Sequence, residues 1–265
     1  AALIGLAIGL LASGLERREQ PGQLFEPVAA GLAAFIAASA SRLWMPHSVY
    51  IATLAGLIYL IPGFRLTLAM IELATQHLSS GVARFSGALV VFLTITFGTA
   101  LGSRLAELIF GPPLEVPPAP VGGWIELAAL LVAPVALAIL FRAPLSAAPA
   151  MVAIGFLGYQ GGRLGSEWIS PELGMFAGAL AAGLAARAWS RWSGKPETVV
   201  LGPAILLLVP GSIGYRSFAS LLERDIALGV ETAFRMVLVA VSLVAGLLLA
   251  HAVVRPRRAV RPRVA

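Results

Sequence analysis

The chain has 265 residues, 58% of them hydrophobic, 12% charged and none of them cysteine. A soluble domain is about 45–50% apolar and about 25% charged, so this composition excludes a soluble fold, a disordered chain, a disulfide scaffold and cysteine-based chemistry, and predicts an integral membrane protein. The formal charge of +6 does not indicate a nucleic-acid partner, because Arg255, Arg257, Arg258, Arg261 and Arg263 crowd into the last eleven residues.

A spanning helix needs about 20 mostly apolar residues. Nine spans or part-spans are predicted, at 1–14, 26–42, 48–62, 83–106, 124–141, 146–161, 171–189, 197–210 and 229–253. Two charged stretches with helical period, 64–80 and 212–226, are expected to be amphipathic, interfacial or re-entrant. The first span begins inside an apolar run at an alanine. No basic segment precedes it, so a signal peptide is not expected and a further span upstream is. Residues 111–123, GPPLEVPPAPVGG, form a Pro-rich spacer. The expected organisation is a first membrane repeat over 1–110, the linker 111–123, a second repeat over 124–254 and a basic tail over 255–265.

The two halves repeat. Leu60-Ile61-Pro62-Gly63 matches Leu208-Val209-Pro210-Gly211 at an offset of 148, which also pairs Trp44 with Trp192, Leu73 with Leu221, Gly81 with Gly229 and Gly98 with Gly246. The span 124–141 lacks a partner, which lies upstream if the repeat is complete. The fold class expected is therefore all-α and polytopic, with nine visible spans of ten, in two five-helix repeats with Pro-Gly-broken helices. Basic residues favour the cytoplasmic side. With the tail inside, the nine-span threading puts Pro62-Gly63 at the cytoplasmic side and Pro210-Gly211 at the outer side. The repeats are then inverted, an architecture common in secondary transporters.

Proline lacks a backbone N–H and glycine tolerates unusual torsions, so Pro-Gly after an apolar run ends a helix sharply. The next helix then offers free N–H groups to an anion such as a carboxylate. The alternative reading is a plain turn at the membrane surface, and the repetition brings the two to parity. Residues 60–67, LIPGFRLT, followed by Glu72, Gly81 and Arg84, resemble the signature of the first membrane domain of the threonine/serine exporter family. Pro203-Ala204-Ile205, Leu208-Val209-Pro210-Gly211-Ser212 and Tyr215-Arg216 resemble that of its second membrane domain. The resemblance implies a ten-span bacterial or fungal membrane protein with a cytosolic N-terminal extension, exporting threonine and serine with the proton motive force. A split branch of the family is associated with dicarboxylate export.

Ionisable groups within a membrane are costly and mark candidate sites. The substrate-binding candidates are Pro62, Gly63, Thr67, Glu72, Pro210, Gly211, Ser212, Tyr215 and Arg216. Proton-coupling candidates are Glu72, His77, Glu223 and Glu231. Arg65, Glu72 and Gln76 are expected to share a helix face. Glu72 reads equally as a coupling carboxylate or as part of a solvated face. For His77 a headgroup-level position is favoured, and Glu231 with Arg235 reads as a structural i,i+4 pair. Hydroxyls such as Thr67, Thr94, Thr96 and Ser242 more often bond the backbone.

The sequence thus predicts a multi-pass protein of the bacterial inner membrane with a cytoplasmic C-terminus. It exports threonine or serine, with a dicarboxylate as the alternative cargo. The expected partners are a small-molecule substrate, protons and the lipid bilayer, with an oligomer left open. No cofactor, metal or catalytic residue is expected. An intramembrane enzyme is disfavoured because no deep histidine accompanies Ser212 and no HExxH is present. A non-transporting scaffold is disfavoured because it has no use for broken helices.

Overall fold

A computed structural model describes residues 2–16, 24–114, 116–117, 122–140 and 142–253. Arg17, Arg18, part of the Pro-rich linker and the basic tail lie outside these residues.

The described residues form eleven α-helices and no strand. These are α1 Ala2–Glu16, α2 Phe25–Leu43, α3 Val49–Leu57, α4 Gly63–Ala74, α5 Leu78–Phe110, α6 Gly123–Leu140, α7 Ala148–Trp168, α8 Pro171–Ser193, α9 Thr198–Leu206, α10 Gly211–Leu222 and α11 Ile226–Val253. Leu78–Phe110, Gly123–Leu140, Thr198–Leu222 and Ile226–Val253 are long and apolar enough to cross a bilayer. The protein is a polytopic, all-helical membrane protein. Many large apolar side chains are exposed, among them Leu108, Trp124, Trp168, Trp192 and Phe234, as expected where lipid is the solvent.

The span expected at 48–62 resolves into nine-residue α3 followed by α4, and the span at 197–210 into nine-residue α9 followed by α10. Nine helical residues cover only ~14 Å of a core about 30 Å thick. A complete crossing therefore needs both halves of each pair. The stretches expected to be interfacial begin with α4 and α10, the second halves of broken crossings.

The chain forms two compact units. The first comprises Ala1–Pro120 and Pro210–Met236. Here α2 buries a stripe of small residues, Ala29, Ala33, Ala37 and Ser41 with Ala30, Ala34 and Ala38 beside it. Spacing of four puts them on one face, against α5. On α5 the matching stripe is Gly98, Gly102 and Ala106. The approach is so close that a methyl group at Gly102 would fall on the Gly31 carbonyl. Small residues at this spacing let helix backbones pack directly in lipid, where no hydrophobic drive brings them together.

The second unit comprises Val121–Val209 and Val237–Ala265. α8 starts at Ser170, whose hydroxyl accepts from the Leu173 N–H at 3.2 Å, with Pro171 in its first turn, and stops at Gly194 with φ of 70°. These are the start and stop signals expected of a helix. α7 and α8 meet through glycines: a methyl at Gly178 would lie 2.6 Å from the Gly158 carbonyl oxygen. Small residues again let two helix backbones pack directly.

The same local geometry recurs at the offset of 148. α4 and α10 begin and end at equivalent positions. Their N-cap prolines have φ/ψ of −79°/32° and −77°/33°. Each helix is followed by a left-handed residue, Gln76 (φ 64°) and Arg224 (φ 68°). The turns close by equivalent bonds, His77 N–H to Glu72 O at 2.8 Å and Asp225 N–H to Ser220 O at 3.0 Å. Gly81 faces Leu73 as Gly229 faces Leu221.

A Gly102→Ala substitution is expected to destabilise the protein by about 1–3 kcal/mol through overpacking. Gly87→Ala, where nothing lies within 4 Å, is expected to leave thermal stability in detergent unchanged or slightly raised. Equal melting temperatures for the two variants would contradict the close α2–α5 contact.

Candidate functional site

Pro62, Gly63, Pro210 and Gly211, with α3, α4 and α10, all fall in the first unit. After α3, the Gly63 N–H donates to Ile61 O at 2.8 Å across Pro62, and neither Pro62 nor Pro210 offers a side-chain cap. The two breaks touch. A methyl group at Gly211 would lie 2.8 Å from Ile61 Cγ2 and 3.4 Å from Gly63 Cα. This corrects the threading that puts the breaks on opposite membrane faces, since groups in van der Waals contact cannot be separated by a ~30 Å core. That threading treats α3 as a full crossing, which its length forbids.

Two helices thus start side by side. The first-turn N–H groups of a helix carry partial positive charge, so the junction of α4 and α10 favours an anion. Pro62, Gly63, Pro210 and Gly211 are all buried.

Aromatic rings pack beside the junction. Tyr50, in the first turn of α3, stacks on Tyr215 of α10 with centroids 5.6 Å apart. Its hydroxyl donates to the Ser212 carbonyl at 3.4 Å. Phe92 of α5 stacks on Phe218 of α10, also at 5.6 Å. Tyr215 is buried, so its side chain serves packing, whereas Ser212 and the neighbouring Arg216 are exposed. Sequence reasoning missed Tyr50. Its position lies 162 residues from Ser212, and no local pattern links the two.

The Thr67 hydroxyl, a candidate substrate contact, donates to Gly63 O at 3.2 Å inside the core. It thereby closes the first turn of α4 after the break. Thr94 and Thr96 likewise bond the backbone, at Val91 O and Phe92 O.

Glu72 lies in the last turn of α4. Its Oε1 meets Arg84 Nε of α5 at 2.8 Å, while its Oε2 is sealed from solvent with no hydrogen-bond partner. The expected shared face with Gln76 does not form, because α4 ends at Ala74 and Gln76 adopts a left-handed conformation outside it. Arg65 is exposed. His77 is exposed too, with Nδ1 3.0 Å from the Thr75 hydroxyl. Glu223 and Glu231 are exposed, and Asp225 caps α11 by accepting from the Leu228 N–H at 3.1 Å. Of the acidic candidates, then, Glu72 is the one with a buried carboxylate oxygen. No cluster of three or more potential metal ligands exists among the described residues.

A multi-pass helical protein with two interrupted helices in contact, and a part-buried carboxylate beside them, has the build of a membrane transporter. Comparison with known families supplies the cargo class. The model described as "Putative threonine/serine exporter" matches residues 1–106, and that described as "Threonine/Serine exporter, ThrE" matches residues 126–253. The chain belongs to the threonine/serine exporter family, whose membership points to a transporter of small amino acids rather than an enzyme. No curated protein and no solved structure matches it.

Thr67→Val removes only the hydroxyl's bond, because the Gly63 carbonyl keeps its helical bond from the Thr67 N–H, and is expected to cost about 0.5–1.5 kcal/mol or less. Thr67→Ser keeps the bond and is expected to melt close to the wild type. Thermal unfolding in detergent checks both.

Proposed function

We propose that this chain is a secondary active transporter that exports threonine and serine across the bacterial cytoplasmic membrane. Export is driven by the proton motive force and proceeds by alternating access between two inverted repeats. The observation that carries this reading is the contact between two equivalent Pro-Gly interruptions. Each half contributes one broken helix, and the two helix starts converge on one place. An amino-acid carboxylate suits those N–H groups, as in transporters whose discontinuous helices hold substrate near the midplane.

Glu72 is the proton-coupling group of this reading. Its sealed second oxygen has no protein donor and is open to a proton or the substrate ammonium. Exposed Arg216 offers a guanidinium fork to a carboxylate approaching α10. Counting α3–α4 and α9–α10 as one crossing each leaves nine visible crossings. The distribution of arginines then favours a cytoplasmic C-terminus.

Counterflow of labelled threonine, serine and succinate into proteoliposomes, with and without a pH gradient, tests the cargo and the coupling. Threonine and serine are expected to exchange and succinate is not; succinate exchange alone would replace this reading with dicarboxylate export. Glu72→Gln and Arg216→Ala are each expected to abolish uphill efflux while the protein remains folded. Wild-type rates in both would remove the assigned site.

A further inference from the structure

The repeat supplies an internal control for the Glu72–Arg84 ion pair. We infer that Arg84 is a positioning residue for export: it holds Glu72 by one oxygen so that the other stays poised, in only one of the two halves, as the proton acceptor. This rests on the proton-coupled reading of Glu72.

The equivalents of Glu72 and Arg84 at the offset of 148 are Ser220 and Thr232. Both are buried, and the Thr232 hydroxyl donates to Leu228 O at 2.6 Å. The corner between α10 and α11 nevertheless has the same geometry as that between α4 and α5. The left-handed residue differs by 4° in φ between Gln76 at 64° and Arg224 at 68°. Gly81 N–H bonds His77 O and Gly229 N–H bonds Asp225 O, both at 3.0 Å. Leucine 73 or 221 packs on the following glycine in each case. The corner therefore closes without an ion pair. A surface salt bridge is worth little, and sealing an unpartnered carboxylate oxygen opposes stability. The ion pair is not what makes the turn, which leaves control of Glu72 as its role.

The geometry restricts what else acts on Glu72. α4 packs on α5 and α10. The other titratable groups on these elements and their ends are Arg65, His77, Arg104, Glu107, Tyr215, Arg216, Glu223 and Arg224, of which Tyr215 is buried against Tyr50 and Arg224 is exposed. Arg65, His77, Arg216 and Glu223 are exposed. Arg104 pairs with Glu107 at 2.6 Å, about 30 Å along α5 from Arg84. Arg84 is the cation whose guanidinium touches the carboxylate.

A nearby cation favours the charged carboxylate. The test is the pH profile of uphill threonine efflux in proteoliposomes, with KM and kcat separated and melting temperature recorded. Arg84→Gln is expected to weaken the response to the pH gradient and to lower kcat with KM little changed. Arg84→Lys, which keeps a cation, is expected to restore most of the wild-type profile. The double variant Glu72→Ser/Arg84→Thr copies the second half; it is expected to melt like the wild type and to lose the response to the pH gradient. A wild-type profile in Arg84→Gln, or coupled export by the double variant, overturns the role of Arg84. A double variant that fails to fold also overturns it, by making the ion pair structural. Wild-type export indifferent to the pH gradient would instead defeat the proton-coupled reading beneath it.

Discussion

The absence of an amide hydrogen on two prolines governs the arrangement around the site. Pro62 and Pro210 each interrupt a helix that is otherwise apolar enough to continue. In lipid an interrupted helix leaves backbone groups that water does not reach, so such breaks persist only where protein groups meet them. Here the two breaks meet each other. Gly63 and Gly211 bring the backbones together, and the Thr67 hydroxyl adds a second donor to the Gly63 carbonyl in the first turn of α4. The Tyr50 ring and hydroxyl brace α10 from the side. What remains is a junction with two helix starts and a positive partial charge, suited to a carboxylate.

Around that junction the long helices pack through small residues. Alanine and glycine stripes on α2 and α5 permit backbone contact over several turns. α7 and α8 do the same in the second unit. Such seams are tight and made of many weak contacts. Charged groups are used sparingly within them. Each half holds its own distinct cluster: Glu72 with Arg84 in the first unit, and buried Arg187 with Glu197 and His251 in the second. Neither cluster occurs at the equivalent position of the other half, so chemistry differs where backbone geometry agrees.

Much of the fold was legible in the residues. Apolar runs marked the helices, because in lipid every buried backbone group must bond within its own helix. The offset of 148 marked the repeated corner to the residue. Two inferences failed for one reason. Treating 48–62 as a full crossing, and giving Glu72, Gln76 and Arg65 one face, both extended local periodicity across a helix end. Pro62 and the left-handed Gln76 set those ends, and a periodic pattern carries through such points undisturbed.

Sequence alone determined the membrane class, most of the helical elements and the family, because composition and local spacing encode them. Only the tertiary structure decided that the two Pro-Gly breaks touch, that Glu72 pairs with Arg84 while its second oxygen stays sealed, and that Tyr50 reaches Ser212. Those facts depend on close packing between segments up to 162 positions apart. Each joins side chains or backbones from different helices, and no local pattern in either segment records its partner.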